Sequence, residues 1–314
     1  MITIADIETA RTRIADRVRH TPTMSFTQLK DPPPTKARVT LKLECLQVTG
    51  SFKARGAMNR LLGTQGGAPA AGIVTASGGN HGLAVARTAF AAGVPATIFV
   101  PSGVSPAKVA KMQGWNADVR IEGDVWDRSN EAAHAHAEAT GAVYFHPFAD
   151  PLVVAGQGTL GLEILDDLPD IDAILIAIGG GGLISGVATA LRAKLPGVRI
   201  IGIEPEGSPT LKACLEAGEV VTLPEVTTKV PTMACARTDP RIFATVRDTV
   251  DDIVLVSDPA MQDAARWLWF ECGIAADLSG AASLAALRQG VPALDGASHI
   301  CALVCGAGPE GTAG

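Results

Sequence analysis

Four consecutive glycines stand between a short apolar run and an alanine-rich helical pattern. They are Gly179, Gly180, Gly181 and Gly182. Because glycine has no Cβ, successive backbone N–H groups can turn toward one ligand, and the N-terminus of the following helix adds partial positive charge. A plain strand-to-helix turn needs only one or two glycines. Four in a row therefore favour a cradle for an anion such as a phosphate.

A second junction of the same kind carries polar side chains. It consists of Ser77, Gly78, Gly79, Asn80 and His81. Its backbone N–H groups and the Ser77 hydroxyl would bind a carboxylate, and the Asn80 amide would address another polar group. The structural alternative is that Ser77 only caps a helix and that His81 is packed in its first turn. Two such junctions in one chain favour the binding interpretation.

Lys53 lies at a third turn, where the chain enters a helical pattern beside Phe52 and Arg55. An isolated lysine of this kind is usually solvated. A phosphate cradle, a carboxylate cradle and an amine nucleophile are, however, the parts that an enzyme needs when it works through a Schiff base. Lys53 is therefore the candidate catalytic residue.

Short β-branched runs that alternate with longer helical patterns must position these candidates. Such alternation is typical of parallel strands joined by crossover helices and predicts an α/β fold. The predicted strands are 39–43, 72–76, 96–100, 117–121, 143–145, 173–178, 199–203, 253–256 and 300–304. The predicted helices are 3–18, 54–62, 80–92, 106–113, 125–139, 157–167, 183–194, 208–217, 259–272 and 279–289.

The order of these elements predicts two domains. Residues 67–145 contain a strand-and-helix set of their own, so we expect a small α/β domain there. It is inserted into a large domain made of residues 1–66 and 146–314. The least regular stretch, 220–241, is rich in Thr, Pro and charge, and it fits a long surface or active-site connection.

Composition limits the possible partners. The 314 residues carry a net charge of −6, which gives no electrostatic reason to approach nucleic acid or anionic lipid. The six cysteines include no Cys-x-x-Cys pair and the N-terminus has no basic, apolar leader, so we expect a reduced, cytoplasmic protein. Apolar runs such as 171–178 are much shorter than the roughly 20 residues of a membrane helix. A small molecule is the expected partner.

Seven segments resemble, in the same order, those of the fold-type II pyridoxal-phosphate enzymes, specifically the serine/threonine dehydratase and serine racemase family. The segments are 20–22, 41–56, 77–82, 146–148, 155–159, 179–186 and 305–308. The resemblance implies a tryptophan-synthase-β-like fold with pyridoxal 5'-phosphate in the cleft between two α/β domains. It also implies a homodimer.

The same resemblance implies a role for each candidate residue. Lys53 would form the Schiff base and move the α-proton, while Phe52 packs against the cofactor ring. Asn80 would bind the ring hydroxyl, and Cys305 would face the pyridine nitrogen. The glycines 179–182 would hold the phosphate. The substrate carboxylate would be seated by Ser77 and by the N–H groups of Gly78, Gly79, Asn80 and His81.

The sequence departs from the family pattern at several positions. Gly78 stands where the racemases carry a serine that protonates the opposite face of the substrate, which disfavours two-base racemisation. Glu204 matches a divalent-metal ligand of many members, but Thr210 occupies the position of the second carboxylate. Whether the protein binds a divalent cation is therefore left undecided by the sequence. The family's Ala-Asp-Gly stretch is not recognisable in 227–237. Its Glu-Pro is replaced by Asp-Leu-Ser-Gly at 277–280.

These observations predict an ammonia-lyase that dehydrates and deaminates a β-hydroxy amino acid, by default L-threonine or L-serine, to a 2-keto acid and ammonia. A neutral Cys305 beside the ring nitrogen suits such a β-elimination. A 3-hydroxyaspartate dehydratase, in which Arg237 would meet a second acidic group, and a serine racemase are alternatives on the same scaffold.

Two more distant alternatives remain. One is a nicotinamide-dependent oxidoreductase, because a glycine-rich turn with Glu204 about 20 residues later imitates a dinucleotide fingerprint. That fingerprint misses its third glycine by one position, and it does not explain Lys53. The other is a non-catalytic amino-acid-binding protein, which would bind a ligand without turnover.

Overall fold

A computed structural model describes residues 1–312, in which eleven α-helices and ten strands alternate along the chain. The helices are α1 Ile4–Ile14, α2 Lys53–Leu62, α3 Asn80–Ala92, α4 Pro106–Gln113, α5 Trp126–Thr140, α6 Pro151–Asp167, α7 Gly182–Lys194, α8 Thr210–Ala217, α9 Pro240–Thr249, α10 Asp258–Cys272 and α11 Leu278–Gln289. The strands are β1 Thr23–Ser25, β2 Arg38–Lys42, β3 Ile73–Ala76, β4 Ala96–Val100, β5 Asp118–Ile121, β6 Val143–Tyr144, β7 Ala173–Ala177, β8 Arg199–Pro205, β9 Asp252–Val256 and β10 His299–Leu303.

The strands form two sheets. The larger has the order β1-β2-β10-β7-β8-β9, and the smaller has the order β5-β4-β3-β6. Every pairing is parallel except that of β1 with β2, which is antiparallel at the edge of the larger sheet. The predicted α/β class is therefore confirmed. The smaller sheet is built from the continuous stretch between β3 and β6, while the domain boundaries at 67 and 145 stay a prediction.

Strand composition follows from position in the sheet. All five residues of β7 and all five of β10 are buried, because helices cover both faces of the larger sheet. Parallel strands covered on both faces are expected to be continuously apolar rather than alternating. The burial of β7 and β10 agrees with their place in the centre of the larger sheet, next to each other.

Close contact between α2 and α6 sets the position of the helix that begins at Lys53. A Cβ added at Gly156 of α6 would lie 2.7 Å from the Cα of Gly56 in α2, and one added at Gly56 would lie 2.8 Å from the Val153 oxygen. Facing glycines let the two backbones approach to a distance that no side chain would allow. Substitution of either glycine would push α2 away from α6.

A buried ion pair also anchors α2. The Arg55 guanidinium, only 2% exposed, donates to both carboxylate oxygens of Glu44 at 2.7 and 2.8 Å and lies 2.9 Å from Glu163. A guanidinium bound to a carboxylate through two parallel hydrogen bonds has a fixed orientation. The first turn of α2, which carries Lys53, is thus held from two sides.

The main departures from the predicted elements occur at β1, α6 and α9. β1 has only three residues at a sheet edge, too few to give an alternating pattern. α6 begins at Pro151, with Asp150 as its N-cap, six residues before the predicted start at 157. α9 was not predicted, although Asp239 as N-cap and Pro240 as first helical residue are a helix-start signal. Among residues 1–312, no helix is both long enough and apolar enough to cross a bilayer.

Candidate active site

The four-glycine loop connects the end of β7 to the first turn of α7. Gly181 has φ of +89°, a left-handed conformation that glycine adopts without strain. A Cβ at Gly180 would overlap the ring of Phe148, so this position tolerates no side chain in the present packing. Within residues 1–312, no hydrogen bond uses the N–H groups of Gly179, Gly180, Gly181 or Gly182. These donors and the N-terminus of α7 are available to an anion.

The loop from Ser77 to His81 connects β3 to α3 in the same way. Gly79, and not Ser77, is the N-cap of α3, and the Ser77 hydroxyl accepts the Gly79 N–H at 3.3 Å. In the described part of the chain, the N–H groups of Gly78, Asn80 and His81 have no protein acceptor. A second set of free donors therefore lies at the N-terminus of α3.

The His81 side chain points away from these donors. Its Nε2 donates to the Phe145 carbonyl at 3.1 Å, and the side chain is buried. Burial lowers the pKa of His81 to about 3, so its imidazole is neutral. The His81 side chain is therefore packed in the first turn of α3, while its backbone N–H has no protein acceptor.

Lys53 is the first residue of α2, and its side chain is half-buried. Its Nζ donates to the Pro147 carbonyl at 2.8 Å and lies 5.1 Å from the centroid of the buried Phe52 ring. Burial lowers the pKa of the Lys53 amine to about 8. An appreciable fraction of the amine is therefore neutral, and nucleophilic, near physiological pH.

Lys53 is close to the four-glycine loop through the residues that follow β6. The Pro147 carbonyl accepts from the lysine, and the adjacent Phe148 ring packs against Gly180. His146 orients this turn, because its Nδ1 accepts the N–H groups of Phe148 and Ala149 at 3.2 and 2.9 Å. Burial lowers the pKa of His146 to about 4, which keeps that nitrogen free to accept.

Cys305 is the second residue after β10, and its carbonyl accepts the Phe52 N–H at 3.2 Å. Burial raises the pKa of the Cys305 thiol well above its ordinary range, so the group is a neutral thiol. Its Sγ lies 3.8 Å from the Ser279 hydroxyl, which donates to Asp277 at 2.7 Å. Asp277 in turn accepts from the Asn80 amide at 2.7 Å. Hydrogen bonds therefore connect Cys305 to the loop that starts α3.

Part of the irregular segment 220–241 lies against both loops. A Cβ at Gly79 would meet the Thr232 methyl group at 3.5 Å, and one at Gly179 would meet the Thr232 carbonyl oxygen at 2.8 Å. The Thr238 hydroxyl donates to the Gly180 carbonyl at 3.1 Å. The segment therefore contacts both loops through Thr232 and contacts the four-glycine loop again through Thr238. Sequence reasoning assigned no role to Thr232 or Thr238, and only the irregularity of the segment marked them.

The side chains of Glu204 and Arg237 each have protein partners of their own. The buried Glu204 carboxylate accepts the N–H groups of Leu211 and Lys212 at 2.8 and 3.0 Å, so it caps α8. Burial raises the pKa of Glu204 to about 7. Arg237 is exposed and donates to the Thr222 hydroxyl at 2.8 Å.

Among residues 1–312, one group of side chains has the spacing of metal ligands, namely His20, Glu163 and Asp167. The buried Lys42 ammonium already lies between its carboxylates, 2.8 Å from Glu163 and 2.7 Å from Asp167. An internal cation thus already lies between the two carboxylates of this group.

Comparison with known proteins identifies the family of the chain and several similar proteins. Residues 14–306 match the sequence model of a family described as pyridoxal-phosphate dependent enzyme. The chain is 38% identical over 287 residues to the L-threonine ammonia-lyase of Thermotoga maritima, covering 91% of this chain and 71% of that protein. It is 39% identical over 284 residues to the serine racemase of Oryza sativa subsp. indica, covering 90% and 83%. The solved structure of maize serine racemase superposes with a TM-score of 0.90 at 34% identity, covering 97% of this chain and 93% of that one.

Proposed function

We propose that this chain, which belongs to the family of pyridoxal-phosphate-dependent enzymes, is an ammonia-lyase that converts a β-hydroxy amino acid to a 2-keto acid and ammonia. The default substrates are L-threonine and L-serine. The observation that carries the proposal is the half-buried Lys53 amine, with two loops of free backbone donors close to it. The name of the Thermotoga maritima relative supports the choice of reaction.

The residues around Lys53 fit pyridoxal phosphate. The free N–H groups of 179–182 would hold its phosphate, and a side chain at Gly180 would collide with Phe148. Asn80 would bind the ring hydroxyl, Phe52 would pack on the ring, and the neutral Cys305 thiol would face the ring nitrogen. When bound, the cofactor supplies an aldehyde that condenses with amines and a conjugated ring that takes up electrons as the α-proton leaves.

The chain itself supplies the base and the substrate seat. Ser77 and the free N–H groups of Gly78, Asn80 and His81 would bind the substrate carboxylate, whereas the Gly79 N–H already donates to the Ser77 hydroxyl. A carboxylate fixed at this loop positions the α-carbon for attack by one base. Lys53 would then remove the α-proton, which its lowered pKa allows without a large cost of deprotonation. Loss of the β-hydroxyl follows, and hydrolysis of the released enamine gives the keto acid and ammonia.

Packing at Gly78 supports elimination over racemisation. A Cβ at Gly78 would overlap the side chain of Val104, which therefore fills the space that a serine at this position needs. Gly78 carries no titratable group, so this position offers no second base for the opposite face of the substrate. The similarity to serine racemases is thus a similarity of the scaffold. The experimental test must still be able to detect racemisation.

The position of Arg237 supports a neutral substrate side chain. A 3-hydroxyaspartate dehydratase needs a cation for the second carboxylate, and the exposed Arg237 is bound to Thr222 instead. We also propose that Glu204 serves α8 as a cap rather than a metal ion, because both of its oxygens already accept backbone N–H groups.

The proposal also covers the oligomeric state, the cellular location and the extent of the small domain. Two large aromatic side chains of α10, Trp269 and Phe270, are 46% and 70% exposed, and we propose this surface as the contact of a homodimer. All six cysteines are free thiols, as expected for a cytoplasmic protein that handles a small amino acid. The small domain would comprise residues 67–145.

The decisive experiment is a visible absorption spectrum before and after addition of L-threonine, with 2-keto acid assayed in the same cuvette and the remaining amino acid analysed for chirality. We expect a visible band that changes on addition and is followed by keto acid. A band that shifts while a D-amino acid accumulates would replace the proposal with racemisation. Absence of a band after pyridoxal phosphate is supplied would refute the cofactor site.

The Lys53→Ala variant tests the assigned base in the same assay. We expect complete loss of keto-acid formation with an unchanged fold by circular dichroism. Lys194→Ala is the matched control, because Lys194 is an exposed lysine paired with Glu8 and should leave turnover unchanged. Keto-acid production by the Lys53→Ala protein would contradict the mechanism.

A further inference from the structure

Asp277 makes one more hydrogen bond than a helix cap requires. Its side chain is 7% exposed. Oδ1 accepts from the Gly280 N–H at 2.6 Å and from the Ser279 hydroxyl at 2.7 Å, which caps α11. Oδ2 accepts from Nδ2 of Asn80 at 2.7 Å, at the start of α3. This second oxygen therefore joins a helix of the larger sheet to the loop that follows the smaller sheet.

Gly306 shapes the surroundings of this bond. A Cβ at Gly306 would lie 2.6 Å from Oδ2 of Asp277 and 2.9 Å from Nδ2 of Asn80. The backbone at Gly306 thus packs directly against the pair and shields it on one side. Because a hydrogen bond to an ionised group is stronger when water is excluded, the Asn80–Asp277 bond is a firm constraint on Asn80.

The charge of Asp277 fixes which end of the Asn80 amide faces it. An ionised carboxylate only accepts hydrogen bonds, so the amide nitrogen must point toward it and the amide oxygen away from it. A neutral partner that can both donate and accept a hydrogen bond would bind either end of the amide. Such a partner would not fix the orientation of the amide. With Asp277 in place, the second N–H of Asn80 is left for a ligand.

We propose that Asp277 is a positioning residue that holds the Asn80 amide in one orientation, so that its second N–H is presented to the ring hydroxyl of the cofactor. The proposal rests on the proposed function, in which Asn80 binds that hydroxyl. It assigns to Asp277 a contribution to cofactor binding that acts through Asn80 and not through direct contact.

The Asp277→Asn variant tests this orientation, because asparagine is as good a helix cap as aspartate. The Gly280 N–H and the Ser279 hydroxyl require an oxygen, so the new amide nitrogen would face Asn80. Two donors would then oppose each other, and Asn80 would turn its oxygen toward residue 277 and its donors away from the ring hydroxyl. We expect the dissociation constant of pyridoxal phosphate to rise about tenfold, as for loss of a hydrogen bond to a charged group. The visible absorption maximum of the loaded protein should also shift.

A purely structural role would change neither of these readouts without also changing stability. The melting temperature of the cofactor-free Asp277→Asn protein should stay within about 2 °C of the parent. Asp277→Ser is a second variant that keeps a capping hydroxyl but removes the oxygen that faces Asn80, and it should raise the dissociation constant by a similar factor. Asp6→Asn is the matched control, because Asp6 is an exposed carboxylate in the capping box of α1. It should leave cofactor affinity unchanged.

A double-mutant cycle decides whether Asp277 acts through Asn80. In an Asn80→Ala background, Asp277→Asn should cause no further loss of affinity. A full additional tenfold loss there, or parent-like affinity and spectrum of both Asp277 variants, would overturn the proposal. Failure of the parent protein itself to bind pyridoxal phosphate would instead refute the proposed function, so the two failures are distinguishable.

Discussion

Replacing Lys53 by methionine should stabilise the cofactor-free protein at neutral pH and lose that advantage as the pH rises. Burial lowers the pKa of the Lys53 amine from its ordinary 10.5 to about 8. Below pH 8 the amine is protonated in both the folded and the unfolded chain, and the folded chain bears the full cost of the buried ammonium. The difference between the two pKa values corresponds to about 3 kcal/mol. Above pH 10.5 the amine is neutral in both states, and the cost disappears.

The methionine side chain has a similar unbranched shape but cannot donate to the Pro147 carbonyl. Loss of that 2.8 Å hydrogen bond should cost about 1 kcal/mol at every pH. We therefore expect a net gain of about 2 kcal/mol below pH 8 and a gain near zero at pH 9.5. Urea unfolding of the cofactor-free proteins at pH 6.5, 8 and 9.5 measures this difference.

The pH trend is the informative part of this experiment. Lys194→Met alters an exposed lysine and should show no comparable trend, which controls for general effects of charge on unfolding. A Lys53→Met stability difference that is the same at all three pH values would refute the conclusion that burial lowers the pKa of the lysine. Such a result would leave Lys53 an ordinary ammonium in the cofactor-free protein.

Two further predictions concern glycines of the binding loops. Gly180→Ala would force a Cβ into the Phe148 ring and should weaken pyridoxal-phosphate binding by roughly ten- to a hundredfold, from the typical 1–3 kcal/mol cost of overpacking. Adding Phe148→Ala should recover part of the loss in a cofactor titration; no recovery would show that the clash is not the cause. Gly78→Ser should lower keto-acid formation without producing D-serine, because Val104 fills the required space. Adding Val104→Ala should restore turnover, and D-serine from the single variant by chiral chromatography would contradict this account.

The sequence predicts the sheet strands well because most of them are buried on both faces. β4 has the predicted bounds 96–100, and β7 differs from its prediction by one residue. Central parallel strands must be apolar along their whole length, which gives a strong signal. The short edge strand β1 carries no such signal, because one side of it faces solvent.

The candidate site likewise has parts that the sequence predicts and parts that it does not. The glycine loops and Lys53 could be proposed from sequence because each consists of neighbouring residues whose types have a direct chemical meaning. The bond between Asn80 and Asp277 joins residues 197 positions apart, and the sequence contains no sign of it. The placement of Thr232 against both loops is likewise a product of tertiary packing, since Thr232 lies in a segment without periodicity.

The larger sheet explains why the separate groups meet. Strands β2, β10 and β7 are adjacent and parallel, so their carboxyl ends lie side by side at one edge. The chain that leaves β2 leads to Lys53, the chain that leaves β10 reaches Cys305 within two residues, and the chain that leaves β7 enters the four-glycine loop. Ligands of open α/β sheets bind outside such carboxyl ends. The Lys53 amine, the Cys305 thiol and the four-glycine loop are therefore brought together by strand order, while the smaller sheet contributes the loop from Ser77 to His81 after β3.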